Sequence, residues 1–139
     1  MRSAIDDVEA SVERLVMTTS ETGGDIGVVV MQATEGAVRN ARSAGVNALA
    51  AVGAAAGGAV KGAVCSGVDV GRVAKSAVEG AIWGAKDLGV DPAEVGSAAA
   101  YGALLAAGSV GGAALEEVRR AATGMVGGVR IDSAPRRLP

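Results

Sequence analysis

The side chains that most often do chemistry in proteins are scarce in this chain of 139 residues. It has no histidine and a single cysteine, Cys65. A Ser-His-Asp triad and a histidine-ligated metal ion are therefore excluded. One thiol can form neither a disulfide within the chain nor a structural zinc site. Because Cys65 stands among alanine and valine, we interpret it as a small buried hydrophobic residue rather than as a reactive thiol.

Carboxylates and a glycine-rich segment are the remaining candidates for a catalytic or binding site. Glu35 and Glu79 stand 44 residues apart in matching sequence contexts and could face each other as an acid–base pair, although we favour a solvated helix face. The glycine-rich stretch 53–66 lacks the Lys-Ser/Thr pair that a phosphate-binding loop places after its second glycine. The sequence therefore predicts a protein that is not an enzyme and that has no cofactor or metal site.

A recurring glycine is the strongest pattern in the chain. It stands every 22 residues, and valine, isoleucine or leucine follows two positions after it. A fixed period of this kind indicates a tandem repeat. The recurring glycines are Gly36, Gly58, Gly80, Gly102 and Gly124.

Each repeat also contains the signals that end one helix and begin the next. A glycine can end a helix in the left-handed conformation, and an aspartate or asparagine two residues later can cap the following helix. Pro92 fits the first position of such a helix. The predicted caps are Gly45, Gly67 and Gly89 at helix ends, with Asp25, Asn47, Asp69 and Asp91 at helix starts.

These signals predict an all-α fold, an antiparallel bundle or array of about six helices built from tandem 22-residue repeats. Each repeat holds one helix and a short Gly-x-Asp turn, and such short turns require consecutive helices to run antiparallel. The predicted helices cover residues 3–22, 25–44, 47–66, 69–88, 91–109 and 113–128. We expect one domain over residues 1–129 and an irregular tail, rich in proline, over residues 130–139.

Charge and glycine predict how these helices pack. Residues 43–60 and 95–115 contain no charged side chain, and we therefore expect the third and fifth helices inside and the charged helices outside. A glycine in a helix interior costs about 1 kcal/mol relative to alanine. We expect the five recurring glycines to offset this cost by forming one layer, in which helix axes approach more closely than about 8–10 Å.

Composition limits the function. A net charge of −2 gives no support for binding nucleic acid. Half of the residues are hydrophobic, but phenylalanine is absent, and so helices must approach closely or copies must associate. We predict a structural or scaffold protein that forms a homo-oligomer through Ala/Gly-rich helix faces. Trp83 and Tyr101 are the candidate interface residues.

Two alternatives stay open at this point. Residues 95–115 are long enough to span a bilayer, which would make the protein a membrane-associated oligomer that anchors or conducts a lipophilic molecule. Residues 130–139 could instead dock a protein partner, with the chain as an accessory subunit of an enzyme complex. The acidic, amphipathic start of the chain lacks the pattern of a signal peptide, and so we expect a cytoplasmic location, with membrane association as the alternative.

Overall fold

A computed structural model describes residues 4–44 and 47–131. It confirms the all-α fold, to which a two-stranded hairpin is added at the end. The helices are α1 (Ala4–Thr22), α2 (Ile26–Ala44), α3 (Ala48–Ser66), α4 (Val70–Leu88), α5 (Pro92–Val110) and α6 (Gly112–Ala122), followed by β1 (Gly124–Val126) and β2 (Val129–Ile131). The first five helices have 19 residues each and begin 22 residues apart. The tandem repeat itself stays a prediction of the sequence.

The predicted cap residues bound these helices. Each capping side chain accepts a hydrogen bond from a backbone N–H in the first turn of the helix that follows it: Asp25, Asn47, Asp69 and Asp91. Gly67 and Gly89 end α3 and α4 with φ of 69° and 72°. Gly45, the remaining predicted cap, lies outside the described residues.

Helices two apart along the chain pack parallel to each other. A methyl group on Gly58 or Gly62 of α3 would meet the backbone of Glu9 or Glu13 of α1, respectively. A step of four residues toward the C-terminus of α3, from Gly58 to Gly62, corresponds to a step of four residues toward the C-terminus of α1, from Glu9 to Glu13. Helices α1 and α3 are therefore parallel. The same pattern joins α2 to α4 and α3 to α5, and α6 packs beside α4. One layer therefore contains α1, α3 and α5, and the other contains α2, α4 and α6.

Consecutive helices belong to different layers and run antiparallel. A helix of 19 residues is about 28 Å long, and three residues separate one long helix from the next where the connection is described. The chain can return to the start of a parallel neighbour only if the intervening helix carries it back. Between the layers lies a core of alanine and valine in which Ile82 is the largest fully buried side chain.

Position within a layer, rather than absence of charge, decides how much of a helix is buried. Helix α3, in which Lys61 is the one charged residue, lies between α1 and α5 and buries ten residues, as predicted. The charged α4 also buries ten, although we expected it outside, because it lies in the middle of the other layer and directs its charges to the outer face. The expected division into uncharged inner and charged outer helices is therefore wrong for α4.

The C-terminal part differs from the prediction. The sixth helix ends at Ala122 instead of residue 128, and a hairpin follows whose strands pair antiparallel, with Val126 opposite Val129. Gly127 and Gly128 form its two-residue loop with φ of 56° and 79°, as a type I′ turn requires. Residues 130–131, expected in an irregular tail, lie in β2, and residues 132–139 lie outside the described part.

The apolar stretch 95–115 is not one helix. Its helix ends at Val110, and Gly111 has an extended backbone with φ 161° and ψ 170° before α6 begins. Among the described residues, one helix is long and apolar enough to cross a membrane, and it is α3, with a mean hydropathy of 1.5. Of the 18-residue apolar stretch of α3 that has this hydropathy, 56% is buried inside the fold.

Candidate functional site

Three of the recurring glycines lie at close helix crossings. A methyl group on Gly58 would meet the carbonyl oxygen of Glu9, and one on Gly102 would meet the backbone of Gly53. A methyl group on Gly80 would likewise meet the backbone of α2, at Met31. In each case the contacted residue stands 49 positions earlier, since 58−9, 80−31 and 102−53 all give 49. The crossings therefore repeat one geometry within the layers.

The five glycines do not form the single layer that we expected. Gly36 is in α2, the first helix of its layer, and no described atom lies within 4 Å of a methyl group placed on it. Gly124 is not helical at all: it begins β1 with φ 84°. The glycine contacts also join parallel helices within a layer, whereas we expected contacts between antiparallel neighbours. The prediction of a common layer is wrong for these reasons.

The close crossings leave a groove of about 1060 Å³ along α3, between α1 and α5. Three small residues of α3 line it: Ala50, Gly53 and Ala54. On the α5 side, Tyr101 and Leu105 stand one turn apart along the edge of the groove. The result is a surface that is mostly apolar and that has small residues beside large ones.

Charged groups lie at the two ends of this groove. Lys61 near the end of α3 donates a hydrogen bond from Nζ to Oε1 of Glu9 at 3.1 Å. Both side chains are 38% exposed, and such a pair contributes little to stability. Asp91 and Glu94 line the opposite end, at the start of α5. The apolar middle of the groove is thus bounded by solvated charges.

The two aromatic candidates lie in different layers. Tyr101 of α5 lines the groove, whereas Trp83 of α4 is 52% exposed and is not among the described residues that line it. The ammonium group of Lys86 lies 5.1 Å from the centroid of the Trp83 ring, within the range of a cation–π interaction. The structure therefore does not bring Trp83 and Tyr101 together.

Sequence reasoning did not identify Leu105, which is 58% exposed at the edge of the groove. In a helix with charges, the polar face shows which side meets solvent. The segment 95–115 has no charge, and so its periodicity could not show which leucine is exposed. Its neighbour Leu104 is 7% exposed and belongs to the core.

The residues considered for chemistry have structural surroundings. Glu35 accepts a hydrogen bond from Arg39 at 2.7 Å, and the same guanidinium reaches Asp87 of α4 at 3.5 Å, which ties α2 to α4. Cys65, which we expected to be buried, is exposed because it lies close to the end of α3. In the part of the chain that the structure describes, no group of three or more histidine, cysteine, aspartate or glutamate residues could hold a metal ion.

Comparisons of this chain with models of protein families, with curated proteins and with solved structures found no match. Any statement on function therefore depends on the sequence and the structure of this chain.

Proposed function

We propose that this protein is a non-enzymatic structural or scaffold protein that self-associates through the groove along α3. The observation that carries the proposal is the exposed Leu105 and the half-buried Tyr101 beside a lining of alanine and glycine. Complete burial of a fully exposed leucine side chain contributes about 1.5–3 kcal/mol, and Leu105, which is 58% exposed, would contribute part of that. A surface of this composition is therefore better suited to contact with protein than to contact with water.

The partner that we propose is a second copy of the chain. One surface contains both a projecting edge and a lining of small residues, so two copies related by a twofold axis can each insert Leu105 against Ala50 and Ala54 of the other. Contacts of this reciprocal kind are the rule in symmetric dimers. Most of the described residues that line the groove are apolar, in agreement with the charge-depleted centres of protein interfaces.

Sedimentation velocity from micromolar to submillimolar concentration tests the proposal. We expect the native chain to form dimers or larger species, and Leu105→Glu to be monomeric because it places a charge in the apolar contact. Val28→Glu is the matched control, since Val28 is 48% exposed and belongs to α2, in the other layer. A native chain that is monomeric at every concentration, or equal effects of the two variants, would contradict the proposal.

A membrane-associated role is the second candidate, and the apolar helix α3 is the observation that favours it. In that case the groove would face lipid or hold a lipophilic molecule. The first proposal keeps the protein in the cytoplasm, whereas the second puts it at a membrane. Flotation with liposomes in the absence of detergent separates them, because only a membrane-bound protein rises with the vesicles.

A docking role for the whole segment 130–139 is not part of the proposal. Ile131 is 2% exposed and belongs to the core, and the segment therefore does not begin as a free peptide.

A further inference from the structure

The connection between α5 and α6 differs from the other described connections. Three residues join α1 to α2, α3 to α4 and α4 to α5, and each of these connections ends in a capping aspartate. Between α5 and α6 there is one residue, Gly111, and no described side chain caps α6. The position 22 residues after Asp91 is Ala113, whose methyl side chain cannot accept a hydrogen bond. The connection between α5 and α6 therefore lacks the side-chain cap that the other three connections have.

Helical hydrogen bonding continues on both sides of Gly111. Its N–H donates to the carbonyl oxygen of Ala107 at 3.1 Å, and its own carbonyl accepts from the N–H of Leu115 at 3.1 Å. Both bonds join residues four apart, as in an α-helix. Only the extended backbone of Gly111 interrupts the helical path from residue 92 to residue 122.

A rotation at this one residue would join α5 and α6 into a single continuous helix. The N–H groups in the first turn of α6 could then donate to the carbonyl groups in the last turn of α5, which have no partners in their own helix when the two are separate. In the described structure, a methyl group on Gly111 or Gly112 would have no neighbouring atom within 4 Å. An alanine side chain therefore fits at either position.

The straight helix would carry α6 and the hairpin away from their own chain. Four side chains that are now buried would then be exposed to solvent unless another surface packed against them: Val118, Ala122, Val126 and Ile131. The surface that fits them is formed by α4 and α5, against which α6 and the hairpin now pack. A second copy offers the same surface, since each copy vacates it when its own segment leaves.

We propose that two copies exchange α6 and the hairpin by straightening at Gly111. The inference rests on the proposed self-association and adds to the groove contact an exchanged segment that links the same two copies. Exchange of identical elements forms dimers at low cost, because nearly all contacts of the monomer are re-formed. The occupant of the vacated surface is thus a second copy of this chain, and the new contacts are the helical hydrogen bonds around residue 111.

Two substitutions shift this equilibrium in opposite directions. Gly111→Ala favours the helical conformation at the hinge, and we expect it to raise the dimer association constant about tenfold. Gly112→Pro fits the first position of α6 and keeps residue 111 extended, but it interrupts a continuous helix. We expect the proline variant to fold with native circular dichroism and to lose the exchanged dimer, as measured by native mass spectrometry.

Chain-specific cross-linking tests the exchange directly. A Cβ atom on Gly71 of α4 would lie 3.2 Å from the Cβ of Ala121 of α6, slightly closer than the usual separation of about 3.5–4.5 Å in disulfides. One preparation carries Gly71→Cys and the other Ala121→Cys, both with Cys65→Ser. The two are mixed, incubated and oxidised, and each preparation oxidised alone is the control. We expect a disulfide between chains in the mixture only.

The outcomes separate this inference from the proposed function. A native dimer that gives no cross-link between chains, and that Gly112→Pro leaves intact, would overturn the exchange while self-association stands. A native chain that is monomeric at all concentrations would contradict the proposed function. If Gly111→Ala is then monomeric as well, the exchange is overturned too. If Gly112→Pro fails to fold, the cross-link in the mixed cysteine variants decides.

Discussion

The hydroxyl oxygen of Thr34 in α2 occupies the space that a methyl group on Gly80 of α4 would need. Thr34 is completely buried, and its hydroxyl donates to the carbonyl oxygens of Val30 and Met31 at 3.1 Å each. The polar group is thus satisfied within its own helix and can face a neighbour without cost. Glycine at position 80 lets α4 approach α2 at this point.

Gly80→Ala is expected to lower the free energy of unfolding by about 1–3 kcal/mol, because its methyl group must displace backbone atoms of α2. Urea unfolding followed by circular dichroism measures this change. Gly36→Ala is the matched control, since Gly36 is also in a helix and its methyl group would meet no described atom within 4 Å. There we expect a gain of up to about 1 kcal/mol from helix propensity. Equal losses in the two variants would show that space at the crossing is not the cause.

Gly102→Ala tests the equivalent crossing in the other layer. Its methyl group would meet the backbone of Gly53, and we expect a loss of about 1–3 kcal/mol in the free energy of unfolding. Gly108 belongs to the same helix, where the nearest atom to an added methyl group is Cδ1 of Leu115 at 4.0 Å. Gly108→Ala should therefore be neutral or stabilising. If Gly102→Ala did not change the free energy of unfolding, close packing of Gly102 against Gly53, 49 residues earlier, would not contribute to stability.

Asp69→Ala is expected to reduce the free energy of unfolding by about 0.5–2 kcal/mol. Its carboxylate accepts the hydrogen bond of the Arg72 N–H at 3.2 Å at the start of α4. Asp87 is the control because it is an exposed aspartate in the last turn of the same helix. Its 3.5 Å contact with Arg39 is exposed to solvent and contributes little. Thermal unfolding of both variants should show a clear loss for Asp69→Ala alone.

The capping signals made the helices predictable, because a cap is a local interaction between residues two or three positions apart. Gly89 and Asp91 specify a turn through local interactions that do not depend on contacts with distant residues. The positions of the first five helices follow from such signals. The packing partners of Gly58 and Gly102 could not be predicted in the same way, because the period of glycine does not show which helices are neighbours.

The prediction for the last part of the chain was wrong because the helical repeat does not continue to residue 128. The recurrence of glycine at Gly124 favoured a helix, but Val126-Gly127-Gly128-Val129 is also the pattern of a hairpin with a two-residue loop. The outcome depends on long-range burial, since Val126 and Ile131 are covered in the folded chain. These two side chains are buried against α4 and α5, which precede the hairpin in the sequence and are separated from it by α6.

Ile131→Ala measures how much this hairpin contributes. Ile131 is 2% exposed, and its Cδ1 lies where a methyl group on Gly96 of α5 would stand. We expect a loss of about 2–5 kcal/mol in the free energy of unfolding. Met125 is the control on the same hairpin, with 67% exposure, and Met125→Ala should change stability by less than about 0.5 kcal/mol. Similar small effects of both substitutions would show that the hairpin is not part of the core.

The single tryptophan distinguishes the groove from the outer face of α4 as the surface of association. Trp83 is half exposed and does not line the groove, so its quenching by acrylamide should not change with protein concentration. Trp83→Ala should leave the dimer intact, whereas Tyr101→Ala should weaken it by about 1–2 kcal/mol, as measured by sedimentation equilibrium. Circular dichroism of both variants checks that the fold is retained. Protection of Trp83 at high concentration, together with a native dissociation constant for Tyr101→Ala, would assign the interface to α4 instead of the groove.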